Sequence, residues 1–256
     1  MIVKFLKIAI SILCLLVLTA GCNSREQQKQ PLTIAAATGL RFALEEVATL
    51  YREQHGQEVV YVFGSTGDLA RQIKSGAPVD LFLSADRLYM DELIDAGLIE
   101  PGSTCVFAVG QIVLAVNKAE QPPVASLQNL AEYSGPIALA NPDHAPYGRA
   151  AREALQAAGL WNALQEQIIY GETVGQVLQF IQTGNAPVGI IALSLADVPE
   201  IEYRLIDSAL YSPLEQVSGI VAGSPRAGAA RGFAHFLNGD SARRILEQYG
   251  FTVPLQ

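Results

Sequence analysis

Cysteine and histidine, on which many metal centres and catalytic sites depend, are scarce in this chain, with three of each among 256 residues. His55, His144 and His235 are scattered and do not match the ligand spacing of a metal site. The sequence also contains no phosphate-binding Walker loop, no Gly-x-Gly-x-x-Gly fingerprint and no Gly-x-Ser-x-Gly elbow. Because the usual signs of a metalloenzyme, a nucleotide-binding enzyme or a serine hydrolase are missing, we do not expect an enzyme.

Basic residues are in the minority. The chain has 17 lysines and arginines against 25 aspartates and glutamates, and its formal net charge is −8 at pH 7. Such an acidic chain argues against nucleic acid as a partner, because phosphate contacts need clustered Lys and Arg. The negative net charge cannot attract an anionic ligand either, so any anion site must work through local fields.

The N-terminal region has the features of an export signal. Lys4 and Lys7 precede an uncharged apolar run over 8–18, which is too short to span a bilayer, and the sequence Thr-Ala-Gly-Cys follows at 19–22. This ending resembles the lipobox of bacterial lipoproteins, in which the cysteine is lipidated and becomes the first residue. Thr19 stands where leucine is more usual, and an ordinary secretory signal cut elsewhere is the alternative.

These features predict a signal peptide over 1–21, a lipid anchor on Cys22 and a flexible polar tether over 22–30. The protein is therefore expected outside the cytoplasm, in the periplasm or an equivalent space, and held at a membrane. Cys14 is removed with the signal, which leaves Cys105 without a disulfide partner. We expect Cys105 to be a small buried apolar residue.

Four times, a strand-like run is followed by a residue and a glycine that open an amphipathic helix. The pairs are Thr38-Gly39, Thr66-Gly67, Tyr147-Gly148 and Val174-Gly175. The four helices are expected to end at Gly56, Gly76, Gly159 and Gly184, and the runs before the pairs are expected to be strands over 32–37, 58–63, 136–140 and 168–171. A helix start presents unpaired N–H groups and a partial positive charge, so four such starts together could hold a dianion without a charged side chain.

Local capping signals support these helix starts. Thr38 and Thr66 stand where an N-cap hydroxyl is favoured, and Ser65 with Asp68 has the spacing of a capping box. Asp86 is expected to cap a further helix, which follows a strand over 80–85.

Alternating strands and helices predict an α/β fold with mostly parallel sheets flanked by helices. We expect two lobes, the first formed by 31–110 plus 221–256 and the second by 111–220. The chain would then cross between the lobes near 110 and near 220. A ligand is expected in the cleft between them, at the carboxyl ends of the strands.

Several segments closely resemble the molybdate-binding proteins of bacterial ABC importers, which belong to the type II periplasmic binding proteins. The resemblance covers essentially all of 31–253. It is carried by Ala-Ala-Ala-Thr at 35–38, Phe-Gly-Ser-Thr-Gly-Asp-Leu-Ala-Arg-Gln-Ile at 63–73, Gly-Ala-Pro-Val-Asp-Leu-Phe-Leu-Ser-Ala-Asp at 76–86, Asn-Pro-Asp-His-Ala-Pro-Tyr-Gly at 141–148, Asn-Ala-Pro-Val-Gly-Ile at 185–190 and Tyr-Gly-Phe at 249–251.

The resemblance implies a two-lobed binding protein, without a cofactor, that captures molybdate or tungstate and delivers it to the permease of an ABC importer. We expect it to act as a monomer. In the family, neutral hydroxyls and backbone amides contact the oxygens of the anion, not the metal atom. These contacts correspond here to Thr38, Gly39, Thr66, Tyr147 and Val174. Because none of them titrates near neutrality, affinity is expected to change little from about pH 6 to 9.

The chain departs from the family pattern at two points. Thr38 and Thr66 stand where serine is common, which keeps the hydroxyl and adds a methyl group. Some members also supply a tyrosine from the strand after the Asn-Ala-Pro turn, where this chain has Ala192. Tyr147, on a different loop, is a candidate for the replacement hydroxyl.

Three alternatives remain open at the level of sequence. The first is a binding lipoprotein for a smaller oxyanion such as sulfate or phosphate. The second is the sensor domain of a transcriptional regulator, which is disfavoured because an export signal, and no helix-turn-helix segment, precedes the domain. The third is a secreted hydrolase that uses Asp or His groups.

The proposed lipid anchor is directly testable. Replacing Cys22 by serine removes the thiol that would be lipidated, so Cys22→Ser should release the protein from membranes or block its processing. Fractionation of cells into membrane and soluble parts measures this. Recovery of the unaltered protein as freely soluble after export would contradict the lipoprotein interpretation.

Overall fold

The computed structural model describes residues 30–254. The predicted signal peptide, Cys22 and nearly all of the predicted tether lie outside the described residues. Within the described part of the chain, no helix is both long enough and apolar enough to span a bilayer.

The first half of the described chain contains β1 (Leu32–Ala37), a 3₁₀ turn (Thr38–Leu40), α1 (Arg41–His55), β2 (Val59–Gly64), α2 (Thr66–Lys74), β3 (Leu81–Ser84), α3 (Arg87–Asp95), β4 (Cys105–Gly110), β5 (Ile112–Asn117) and a 3₁₀ turn (Leu127–Ala131). The second half contains β6 (Ile137–Ala140), α4 (Pro146–Ala157), α5 (Trp161–Leu164), β7 (Ile168–Gly171), α6 (Val174–Gln182), β8 (Val188–Ala192), a 3₁₀ turn (Leu193–Leu195), β9 (Ile201–Leu205), β10 (Leu214–Ile220), α7 (Ala227–Leu237) and α8 (Asp240–Gln248).

The strands form two five-stranded mixed sheets with the same plan. The first has the order β2-β1-β3-β10-β4, in which β1 is parallel to β2 and β3 while β10 is antiparallel to β3 and β4. The second has the order β7-β6-β8-β5-β9, in which β6 is parallel to β7 and β8 while β5 is antiparallel to β8 and β9. We call each sheet with its helices a lobe. The expected two-lobed α/β fold is confirmed.

The chain passes from the first lobe to the second between Gly110 and Ile112. The return crossing, expected near 220, was placed too late. Leu214–Ile220 pairs with β3 and β4 of the first sheet, so the chain returns between Leu205 and Leu214. The sequence alone could not show which sheet this strand joins, because pairing depends on the partner strands and not on the strand itself.

The four glycine pairs lie at helix starts as expected, and the helices end where left-handed glycines stop them. Gly56, Gly76, Gly159 and Gly184 have φ angles of 61°, 86°, 73° and 75°. Residues with a Cβ rarely adopt this conformation, which explains glycine at each end. The core strands that lead to the helices, such as Leu81–Ser84 and Ile137–Ala140, are buried along their whole length. Burial on both faces is typical of parallel strands covered by helices.

Cys105 differs from the expectation. It is exposed, and its thiol lies 3.6 Å from the carbonyl of Val106 and 3.6 Å from Oδ1 of Asn238. The reason is its position as the first residue of β4, which is an edge strand of the first sheet.

Candidate functional site

The four helix starts identified from the sequence meet at one small cavity between the lobes. The first lobe contributes the 3₁₀ turn before α1 and the start of α2, and the second contributes the starts of α4 and α6. All five predicted contact residues line the cavity, which is formed by Ala37, Thr38, Gly39, Gly64, Ser65, Thr66, Ala85, Ala145, Pro146, Tyr147 and Val174. None of these side chains carries a charge.

The space is narrow. The centre of a water molecule can occupy about 10 Å³ of it, which is roughly the room that a single water needs. A group larger than water therefore requires the surrounding donors to move apart. With no charged lining side chain, the local field at this cavity must arise from the aligned peptide groups of the helix starts.

The two threonines differ in their hydrogen bonds. Thr66 Oγ1 accepts from the backbone N–H of Ala85 at 3.3 Å, which leaves its own proton free to be donated. Thr38 Oγ1 instead donates to the carbonyl of Gly64 at 3.0 Å. It must rotate away from that carbonyl before it can donate to a ligand.

Neither threonine is an N-cap, which corrects the interpretation of the sequence. The structure assigns the cap before Thr66 to Ser65, whose hydroxyl accepts from the N–H of Asp68 at 3.3 Å, as the capping-box spacing predicted. No side-chain cap occurs at the 3₁₀ turn that begins with Thr38. Asp86 caps α3 as expected and accepts from the N–H of Tyr89 at 3.3 Å.

Tyr147 is buried in the first turn of α4, with 3 % of its surface exposed. Burial, with Tyr211 nearby, raises the pKa of its hydroxyl, so the group remains a proton donor at neutral pH. Among the described residues, the hydroxyl has no hydrogen-bond partner. The neighbouring hydroxyl of Ser194 donates its own proton to the carbonyl of Gly39 at 2.5 Å. A buried hydroxyl without a partner is rare, because it forfeits its interaction with water.

Ala192 lies apart from this cavity. It is fully buried at the end of β8, where it pairs with Ile112 across the second sheet. It is not among the residues that line the cavity. The tyrosine that lines this cavity is therefore Tyr147.

Glycine is required where the lobes and the backbone approach closely. A Cβ on Gly148 would overlap the carbonyl of Ala140 at the end of β6. A Cβ on Gly175 would lie 2.6 Å from Cγ2 of Thr38, which belongs to the other lobe. The first glycine lets α4 start directly over the second sheet, and the second lets the lobes close against each other.

Three hydrogen bonds join the lobes near the cavity. Ser194 bonds to Gly39, as described above. The N–H of Gly67 donates to the carbonyl of His144 at 2.9 Å, and the hydroxyl of Tyr89 donates to the carbonyl of Asp143 at 2.8 Å. An ion pair between Asp86 and Arg149 also joins the lobes. The structure is thus a closed form.

A model of the bacterial extracellular solute-binding proteins matches residues 32–252 of the chain. This chain belongs to that family. The chain is 33 % identical to the molybdate-binding protein ModA of Rhodobacter capsulatus, over 86 % of this chain and 87 % of the relative. It is 31 % identical to ModA of Escherichia coli, over 87 % of this chain and 89 % of that one.

A Bacillus subtilis protein, YvgL, is 35 % identical over 98 % of this chain and 99 % of its own length. Its name assigns it provisionally to the substrate-binding lipoproteins of ABC transporters. Among solved structures, the periplasmic molybdate-binding protein of Azotobacter vinelandii superposes with a TM-score of 0.82 at 30 % identity, over 88 % of this chain and all of the other. These similarities confirm the periplasmic-binding-protein fold and the resemblance stated from the sequence.

The interpretation of the histidines missed one cluster. The fold brings a ring nitrogen of His144 and carboxylate oxygens of Asp68 and Glu172 within 4.8 Å of one another. Sequence spacing could not show this, because Asp68 belongs to the first lobe and the other two residues to the second. The available signal was that all three follow the ends of strands that point toward the same cleft.

The contact between Gly175 and Thr38 predicts how closure can be blocked. Gly175→Ala should leave each lobe folded but hold the lobes apart, because its methyl group would overlap that of Thr38. Small-angle X-ray scattering should show a larger radius of gyration. Gly228→Ala in α7 is the control, since no atom beyond the chain neighbours and the backbone of its own helix lies within 4 Å of the added methyl group. This change should alter stability by about 1 kcal/mol or less. Equal radii for the two variants would contradict the prediction.

Proposed function

We propose that this solute-binding protein captures molybdate outside the cytoplasm and delivers it to an ABC importer. The observation that carries the proposal is the convergence of four helix starts and two threonine hydroxyls on a cavity without charged side chains. The relatives named as molybdate-binding proteins, at 33 % and 31 % identity over most of both chains, support the choice of anion.

The electrostatics of the cavity suit a dianion. Each helix start carries roughly half a positive charge, so four of them together offset about two negative charges. The field is fixed in the backbone and does not depend on the net charge of the protein, which is negative. The hydrogen bonds from these direct donors to the anion do not depend on pH near neutrality, because the donors do not titrate there.

We assign the direct contacts to the oxygens of the anion and none to molybdenum. Thr66 is ready to donate its hydroxyl proton, whereas Thr38 gives up its bond to Gly64 to do so. Gly39 and Val174 would contribute backbone amides at their helix starts, and Tyr147 its unpartnered hydroxyl. Tungstate has the same charge and nearly the same size, so we expect it to bind as well.

The basis for choosing molybdate over sulfate or phosphate is the identity to relatives that are named as molybdate-binding proteins. A sulfate-binding protein of Mycobacterium tuberculosis has a similar fold, with a TM-score of 0.73, but only 16 % identity, so that likeness concerns the fold alone. Once the lobes have closed on an anion, the spacing of the donors sets which anion is preferred. A site whose donors settle at the distance of the larger tetrahedral ion would leave a smaller one with stretched hydrogen bonds.

Localisation and partners follow from the same proposal. The protein would be an exported lipoprotein, held at a membrane through Cys22, that acts as a monomer and presents its closed form to a permease. The name of the Bacillus subtilis relative supports the lipoprotein assignment. We propose no catalytic role and no cofactor, since the family is one of transport proteins.

Calorimetric titration with molybdate, tungstate and sulfate tests the proposed function. We expect tight binding of the first two anions and weak binding of sulfate. Phosphate should be included as a further tetrahedral anion. Equal affinity for sulfate and molybdate would remove the assignment to molybdate and leave only an oxyanion-binding protein.

The role of Tyr147 can be measured by removing its hydroxyl. A hydrogen bond to a charged group contributes about 1.5–3 kcal/mol, so Tyr147→Phe should weaken molybdate binding roughly 10- to 150-fold at about 1.4 kcal/mol per decade. Folding should change little, because the ring is kept. Tyr170→Phe is the matched control, since this tyrosine is exposed at a sheet edge. Unchanged affinity in Tyr147→Phe would show that the hydroxyl is not a ligand contact.

A further inference from the structure

The guanidinium of Arg149 connects the two lobes just outside the cavity. Arg149 lies in the first turn of α4, two residues after Tyr147, and its Nη2 donates to Oδ2 of Asp86 in the first lobe. Asp86 directly follows Ala85, which lines the cavity. The ion pair therefore joins two segments that carry cavity residues in opposite lobes.

The pair is largely shielded from water. The side chains of Arg149 and Asp86 expose 21 % and 11 % of their surface. Asp86 is also held in place independently of Arg149, because its Oδ1 caps α3 by accepting from the N–H of Tyr89. A shielded pair with one partner already fixed loses less to screening and to side-chain ordering than an exposed pair does.

The ring of Tyr89 packs against the same guanidinium. Cζ of Arg149 lies 5.4 Å from the centre of this ring, within the range of a cation–π interaction. The hydroxyl of Tyr89 donates to the carbonyl of Asp143 in the second lobe. A Cβ on Gly67 would lie 2.8 Å from that hydroxyl, so Tyr89 also packs on the start of α2, which carries Thr66. Tyr89 thus contacts the second lobe at two points beside a helix start of the cavity.

Among the described residues, Asp86 is the carboxylate that pairs with Arg149. Glu153 lies one turn further along α4, but its carboxylate accepts from the N–H of Ser212 at 2.7 Å. A surface cavity of about 220 Å³, lined in part by Asp86, Arg149 and Glu153, opens beside the pair. Dissolved ions can therefore reach the pair and weaken it.

We propose that Asp86, Tyr89 and Arg149 form an interlobe latch that sets how long the bound anion is retained. The inference rests on the proposed function. The three contacts of the latch all run from the start of α3 to the second lobe, so they form when the lobes close and break when the lobes open. An anion that enters the open cleft does not need them. The latch therefore acts on release and hardly on capture. Its members are positioning residues, because none of them lines the cavity.

Long-range attraction of the anion is the competing role for Arg149. A positive charge near a cleft raises the rate of capture, and salt screens that effect. Here the charge of Arg149 is offset by Asp86. The geometry therefore favours the latch, and the two roles differ in which rate constant they change.

The test compares molybdate binding by the exported protein with that of Arg149→Met, Asp86→Asn and the double variant. Asparagine keeps the cap of α3 and removes the charge. Chase of labelled molybdate by an excess of unlabelled molybdate gives the dissociation rate, and calorimetry gives the dissociation constant, so their ratio gives the association rate. From the range of exposed to part-buried charge pairs, we expect the dissociation rate to rise about 5- to 30-fold in each single variant. The association rate should change by less than about 2-fold.

Further variants separate the parts of the latch. The double variant should release molybdate little faster than either single variant, because both changes remove one interaction. Tyr89→Phe keeps the ring and should raise the dissociation rate about 2- to 10-fold. Arg231→Met is the matched control, since it breaks an ion pair with Glu100 inside the first lobe and should leave the rate unchanged. Raising NaCl from about 20 to about 500 mM should speed release from the unaltered protein but not from Arg149→Met.

Three results would overturn the latch. The first is a dissociation rate in Arg149→Met equal to that of the unaltered protein. The second is a double variant whose effect is the product of the two single effects, which would show that the side chains act independently. The third is a slower association at an unchanged dissociation rate, which would assign Arg149 to long-range attraction.

Failure of the proposed function looks different, because no form of the protein would then bind molybdate. Small-angle scattering of the ligand-free proteins at low salt decides the latch in that case. Arg149→Met should have a larger radius of gyration than the unaltered protein and than Arg231→Met. Equal radii would refute the latch.

Discussion

The unpaired N–H groups at the start of a helix are the constraint around which this molecule is arranged. A helix cannot satisfy these donors internally, so something outside it must accept from them or they remain exposed. Here four such starts point at one cavity, and strands that end at the same cleft deliver them there. The glycines next to them keep side chains out of the way, so that the backbone itself is the binding surface.

Much else in the site follows from that choice of donor. A cavity without charged side chains has no buried charge to compensate when the ligand is absent, so the ligand-free protein does not incur the large cost of burying unpaired charge. Among the described side chains that line the cavity, the hydroxyl of Tyr147 is the buried polar group without a hydrogen-bond partner. The ion pair of Asp86 and Arg149, which joins the lobes, lies outside the cavity. Charged side chains thus contribute to closure but do not line the cavity.

The sequence predicted most of the fold because its signals were local. Apolar stripes, terminal glycines and capping residues placed the helices, and fully buried strands such as β6 were evident from continuous apolar runs. The strands β4 and β9 were not recognised. Both are edge strands with partly exposed side chains, so their apolar pattern is weak. The five candidate contact residues could be predicted because each is a glycine at a helix start or lies beside one. The cluster around His144 was not, since it depends on contacts between lobes that are far apart in the sequence.

The position of β10 determines the order in which the two lobes can finish folding. This strand, Leu214–Ile220, lies between β3 and β4 in the first sheet, so that sheet has a gap until residues late in the chain arrive. The strands of the second sheet, in contrast, come from one uninterrupted stretch between Ile112 and Leu205. A chain that emerges from a membrane with its N-terminus first can therefore finish its second lobe before its first. Until that moment the edges of β3 and β4 are open, which makes the partly exported chain the form most exposed to mispairing and to proteases.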